Sequence, residues 1–212
     1  MLFEFAAENF TKIPAAIEAG VKRIELCDNL AVGGTTPSYA VIEHSLEYAK
    51  KHEVETAIIL RPRGGDFVYS KDEFEIMKKE MIVAKLFEAE GVVFGSLTED
   101  GRINRDQITE LMSLKGSMDT VFHMAFDFID PEKQKEEMDW LVQQGFTRIL
   151  TRGGKEGAAG DHADWLKELI DYADGRIDIV VGGGVTHENV KELSEILDTH
   201  QYHGTQIVDL NE

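Results

Sequence analysis

The stretch IILRPRGGDFVYS, Ile58–Ser70, begins as an apolar run and then crowds two arginines, a proline, two glycines and an aspartate into Arg61–Asp66. A run apolar on both faces reads as a strand buried on both sides, the habit of parallel sheets covered by helices. The charge that follows marks where the strand leaves the sheet. Pro62 removes a ladder donor and holds Arg61 extended, while Gly64 and Gly65 permit a tight turn into Asp66.

The same pattern recurs along the chain. Short apolar runs lie at Leu2–Phe5, Arg23–Cys27, Thr56–Leu60, Val92–Phe94, Thr120–Phe122, Arg148–Leu150, Ile177–Val181 and Tyr202–His203. Between them fall segments with helical spacing, at Ile13–Ala19, Val41–Lys50, Phe74–Glu88, Ile108–Leu114, Met138–Val142, Trp165–Tyr172 and Val190–Leu197. Gly20, Gly91, Gly145 and Gly175 each follow a helical segment, where a left-handed cap is wanted.

Alternating strands and helices predict an α/β fold, and eight units over residues 1–212 predict one (β/α)8 barrel domain of the TIM type. The few residues after the eighth strand leave that last helix short or missing. The uncovered flank then calls for a short segment or for a second copy in a homo-oligomer. An open doubly wound sheet uses the same units, but the strand ends favour the barrel. Glu4, Glu25 with Cys27, Arg61 with Arg63, His123 with Asp127, Thr151, Gly182–Gly184 and His203 all follow apolar runs. In a barrel those ends converge on one mouth.

Charge narrows the partners. Forty acidic against 22 basic residues give a net charge of −18, a field that repels phosphate backbones and anionic membranes. Nucleic acid and membrane are therefore not expected as partners. The start MLFEFAAENF lacks the basic segment of a secretory leader, no long apolar run follows, and Cys27 is the only cysteine. The expectation is a cytoplasmic protein without disulfides.

Four constellations carry chemistry at the expected mouth. Arg61 and Arg63 could clamp an anion with Asp66 orienting one of them, or pair with strand-end carboxylates as structural glue. VVGGGVTHEN, Val180–Asn189, could present the amides of Gly182, Gly183 and Gly184 to an anion with Thr186 as helix N-cap, or could need small residues for clearance. In TVFHMAFD, Thr120–Asp127, the Asp127 carboxylate could fold back on His123 to make an acid–base pair or an oriented metal ligand, or make a loop hydrogen bond. Glu4 and Glu25 could serve acid–base work or a hard cation, or balance Arg61. Cys27 reads first as a small buried hydrophobe, although a thiolate near Met124, His123 and His203 would suit Cu(I).

Taken together, RIELCDNLAVGGTTPS, RPRGGDFVYS, VVFGSLTEDG, TVFHMAFD, RILTRGG and VVGGGVT resemble, in this order and spacing, the copper homeostasis protein CutC family, over about residues 1–208. The resemblance implies a cytosolic (β/α)8 protein associated with copper tolerance, proposed to bind or traffic Cu(I), with no established reaction. By the same resemblance Cys27 matches the family's second-strand cysteine and Glu25 the acidic residue before it. Arg61, Arg63 and Asp66 match its RPRGGD signature, His123 with Asp127 its FHRAFD signature, and His203 its eighth-strand histidine. Three features depart from the family pattern: Ala6 and Ala7 where many relatives carry a cysteine, Met124 where much of the family has arginine, and a short tail.

Two functions follow. One is copper homeostasis, with Cu(I) held by Cys27 helped by His123 or His203. The other is a barrel enzyme acting on a small phosphorylated or carboxylated metabolite, with His123 and Asp127, and less strongly Glu25, as acid–base groups. Arg61, Arg63, Gly182–Gly184 and Thr186 would then hold the anion.

Overall fold

A computed structural model describes residues 1–210. Eight parallel strands close in sequence order into a barrel. They are β1 (Leu2–Glu8), β2 (Arg23–Cys27), β3 (Glu55–Ile59), β4 (Gly91–Phe94), β5 (Asp119–Phe122), β6 (Arg148–Thr151), β7 (Asp178–Val181) and β8 (Gln201–Gly204). Seven helices among the described residues cover it: α1 (Ile13–Glu18), α2 (Tyr39–Lys51), α3 (Lys71–Leu86), α4 (Arg105–Leu114), α5 (Pro131–Gln144), α6 (Ala163–Ala173) and α7 (Val190–Ile196). The closed TIM-type barrel expected from the sequence is the fold, and residues 205–210 hold no eighth helix. Thr186 bridges to Gln206 there, and Ile207 and Val208 are buried.

Local signals place the helices. Ser70 accepts from the Glu73 amide while Glu73 accepts from the Ser70 amide, a reciprocal cap that opens α3 directly after the RPRGGD loop. Asp130 and Pro131 open α5, and Gly145, at φ +83°, closes it. Gly91 does not cap α3 as its spacing predicts. Glu88 takes the left-handed conformation, and Gly91 opens β4, where a Cβ would lie 3.3 Å from Ala57 Cβ.

Alternation along each strand divides the core. Phe5, Ile24, Ile58, Phe94, Phe122 and Tyr202 face outward and pack under the helices, each burial contributing about 1.5–3 kcal/mol. Inside the barrel, Ala57, Ile59, Val93, Val121, Leu150 and Val180 pack with Cys27. The inner positions toward β1, β2 and β8 are instead charged: Glu4, Arg23, Glu25 and His203 are all buried. The barrel thus has an apolar half and a polar half.

Candidate functional site

At the carboxyl ends of the strands lies a cavity of about 270 Å³. Glu25, Ile59, Leu150 and His203 line it, together with Arg61, Phe67, His123 and Met124. Gly183, Gly184 and Thr186 line it as well. The mouth expected from the strand ends therefore gathers residues far apart in sequence.

Arg61 enters from the end of β3. It is 4% exposed, and its guanidinium donates to the carbonyls of Val32 (2.8 Å), Gly34 (2.9 Å) and Gly65 (2.7 Å). Its Nε has no partner, and among the described residues no carboxylate forms an ion pair with it. Arg63 goes elsewhere. The chain bends at Pro62, and Arg63 binds Glu73 (2.5 Å) and Asp66 (2.9 Å) outside the cavity. Asp66 therefore orients Arg63, and the two arginines form no joint clamp.

His123 follows β5 and caps a 3₁₀ turn over Met124–Phe128. Its Nδ1 accepts from the Ala125 amide at 3.2 Å, so the proton of the neutral ring sits on Nε2. That Nε2 is buried without a hydrogen-bond partner among the described residues. Burial, then the charge of Arg61, lowers the pKa to about 3, which keeps the ring neutral. The ring is wedged between Phe67, at 4.8 Å between centroids, and Gly95, where a Cβ would come within 2.8 Å of it. Arg61 lies over the same Phe67 ring at 4.9 Å.

Asp127 does not pair with His123. The 3₁₀ turn carries it toward β6, where it accepts from the Thr151 hydroxyl and from the amides of Arg152 and Gly153, each at 3.2 Å. Burial raises its pKa to about 6 in spite of those bonds. Its role in the fold is to staple the loop after β5 to the end of β6.

The glycine loop divides between its two expected readings, and its N-cap differs. Gly182 packs beneath the cavity, where a Cβ would lie 2.8 Å from Leu150 and 3.2 Å from His203, so clearance explains it. Gly183 and Gly184, at φ +86° and +72°, do reach the rim. Thr186 is not a helix N-cap: its amide donates to Asn189 Oδ1, and α7 begins only at Val190.

The polar half of the barrel forms the floor. Register sets Glu4 beside Arg23 on one side and His203 on the other, so Glu4 lies mid-strand, below the mouth. Glu4 holds Arg23 Nε at 2.5 Å and His203 Nδ1 at 2.9 Å. Burial opposes its charge, yet the bond to His203 and the charge of Arg23 hold its pKa well below the usual range. His203 Nε2 faces Glu25 Oε2 at 3.6 Å. Burial works against the imidazolium, but Glu25 and Glu4 outweigh it and raise the pKa of His203. Burial likewise raises Glu25. Neither Glu4 nor Glu25 balances Arg61.

Cys27 closes β2 two residues nearer the mouth than Glu25, and the loop at Gly34 covers it. Its thiol donates to Glu25 Oε2 at 3.4 Å, and a Cβ on Gly34 would sit 3.4 Å from Sγ. Burial, then the Glu25 carboxyl, pushes the thiol well above its ordinary pKa. A protonated, covered thiol is a poor Cu(I) ligand. Met124 does line the cavity, but its sulfur accepts from Arg152 at 3.3 Å. Among the described residues no group of three or more His, Cys, Asp or Glu side chains is placed to hold a metal ion. His123 and His203 share the cavity wall, and Cys27 does not join them there.

Phe67 escaped the sequence reading, although it stands in the quoted RGGDF turn where an aromatic side chain must find cover. The Glu4–His203 contact escaped it too, since it depends on β8 pairing with β1.

Fold and cavity together define a (β/α)8 barrel protein with its candidate site at the strand carboxyl ends. The chain belongs to the CutC family, whose model matches residues 1–208. A family protein CutC of Enterococcus faecalis is 51% identical over 98% of this chain and all of that protein. The human copper homeostasis protein cutC homolog is 37% identical over 95% of this chain and 72% of its own length. The crystal structure of CutC from Streptococcus agalactiae superposes with a TM-score of 0.96 at 42% identity, covering 98% of this chain and 100% of that one. An aldolase at 13% identity and a TM-score of 0.71 shares the fold alone.

Proposed function

We propose that this chain works through an organic small-molecule site in the barrel mouth, with Arg61 as the counter-charge for a carboxylate or phosphate and His123 Nε2–H as a neutral donor beside it. The observation that carries this reading is the state of Arg61. A buried cation that no carboxylate among the described residues pairs with is costly, and an anion entering the adjoining cavity supplies the missing charge. Gly183 and Gly184 offer the rim of that site, and Arg63 and Asp127 stay outside its chemistry. The proposal includes a single-domain cytosolic protein that self-associates over its uncovered flank. Among the described residues no helix is long and apolar enough to cross a membrane.

Thermal-shift titration with phosphate, sulfate and citrate tests it. Binding at a hundredfold excess over Kd stabilises by about 2.7 kcal/mol, which moves the melting temperature by several degrees. No anion-dependent rise, or an equal rise in Arg61→Gln, rejects the reading.

A copper site is the second reading, favoured by relatives that carry the copper homeostasis name and by Met124 standing with two histidines on one cavity. Recruiting Cys27 would require its thiol to lose a proton and leave Glu25. Anaerobic Cu(I) competition on wild type and Cys27→Ala decides: tight binding that disappears with the thiol supports it, and binding indifferent to Cys27 rejects that site.

A further inference from the structure

We infer that the cavity floor is a proton-transfer site in which Glu25 exchanges a proton with a carbon acid, His203 steadies the charge that develops, and Glu4 positions His203. The substrate class is a small oxo acid or oxo phosphate ester whose anionic end reaches Arg61. The inference rests on the anion reading of the cavity and adds a reaction to it.

Three observations lead there. First, Glu25 and His203 both line the cavity, and His203 Nε2 stands 3.6 Å from Glu25 Oε2. That gap is too long for a hydrogen bond and leaves both groups free to meet one ligand atom each. Second, His203 is oriented from behind. Glu4, fixed by Arg23, accepts from Nδ1–H of the His203 imidazolium at 2.9 Å and turns Nε2–H toward Glu25. Third, among the described residues the one side-chain hydrogen bond to Glu25 comes from the weak donor Cys27, and no lysine or arginine is paired with it. The fold uses Glu4 and Arg23 fully and leaves the Glu25–His203 face for a ligand.

The step balances without any redox partner. The Glu25 carboxylate takes the proton from the carbon next to a carbonyl, and the C–H pair becomes the carbon–carbon double bond. The carbonyl π pair moves to oxygen, where His203 Nε2–H donates to the enolate. Return of a proton from Glu25 to carbon reverses the step, so in D₂O the substrate acquires deuterium.

Proton NMR in D₂O with pyruvate and with dihydroxyacetone phosphate as probes tests the inference, the two differing in whether a carboxylate or a phosphate meets Arg61. The expected result is loss of the C–H signal of at least one probe, slowed at least a hundredfold in Glu25→Gln. Glu4→Gln should move the alkaline limb of the pH–rate profile to lower pH, because the imidazolium loses the carboxylate that keeps it charged. A merely structural Glu4 would change the amplitude and leave the limb in place, overturning its positioning role. If a probe raises the melting temperature through Arg61 but neither exchanges faster than in Glu25→Gln, proton transfer is overturned and the anion site stands. If neither probe binds nor exchanges, both fall.

Discussion

Two buried arginines sit at opposite ends of the barrel strands. Arg23, at the amino end of β2, is 3% exposed and meets the Glu4 carboxylate at 2.5 Å and Gln201 at 2.5 Å. Arg61, beyond the carboxyl end of β3, is as deeply buried, yet it is met by carbonyl oxygens and a phenyl ring and, among the described residues, by no carboxylate. One charge is neutralised by the fold, and the other is left to be neutralised by something else. Sealed polarity at the amino end belongs to stability, and uncompensated polarity at the carboxyl end belongs to binding, the division of labour general to this architecture.

The largest effect should come from breaking the sealed pair. Arg23→Met removes the permanent cation of a carboxylate with no route to water, leaving it His203 alone, and should cost about 3–5 kcal/mol in urea denaturation. The double change Arg23→Met with Glu4→Gln should recover much of that loss, since the Glu4 carboxylate is then no longer stranded. Full additivity of the two single changes would show that the pair is not coupled.

Arg61→Gln should be milder. It gives up three bonds to rim carbonyls but strands no partner charge, so a loss of about 1–3 kcal/mol is expected. Its signature lies in the ligand response: the anion-dependent rise in melting temperature should vanish. A loss as large as that of Arg23→Met, with anion stabilisation intact, would erase the distinction between the two arginines.

The sequence makes one side of this contrast legible. Ile58 and Leu60 against Ala57 and Ile59 already give both faces of β3, and the charge at Arg61 marks the mouth, so the barrel could be read from runs and punctuation. What could not be read was register and bend. Glu4 meets Arg23 and His203 only because β1 lies between β2 and β8 with those residues in line. Arg63 was expected to project beside Arg61, but the bend from Pro62 turns it outward to Glu73. The four-residue spacing of His123 and Asp127 permitted a fold-back, and the 3₁₀ turn between them spends Asp127 on β6 instead. Thr186 carries the residue type of an N-cap, yet its bridge to Gln206 delays the helix to Val190.

Glu25 extends the comparison to a carboxylate that the fold does not neutralise. Its folded pKa lies above the unfolded value, so the folded state holds its proton more tightly. Stability associated with this group is present below pH 4.5 and is lost as pH rises through the folded pKa. Glu25→Gln should therefore stabilise the protein at pH 8, with the gain shrinking toward pH 4 in urea titrations. Glu4 has the opposite sign. Its lowered pKa contributes stability above pH 4.5 that is lost as pH falls through the folded value, so Glu4→Gln should weaken the fold most at neutral pH. Two curves with the same slope would contradict the assignment of one carboxylate to the fold and the other to a ligand.

The smallest effect should fall on the outer arginine of the RPR stretch. Arg63 is 34% exposed, and its partner Asp66 is 71% exposed, so water and salt screen their attraction. Arg63 also keeps Glu73 at 2.5 Å and the carbonyl of Val68 at 2.8 Å when the Asp66 charge is removed. Asp66→Asn should therefore change stability by less than about 0.5 kcal/mol and leave the anion response untouched. A large fall in anion affinity would mean that the outer arginine reaches the ligand after all. The two arginines, two residues apart, would then share the work that the bend at Pro62 divides between them.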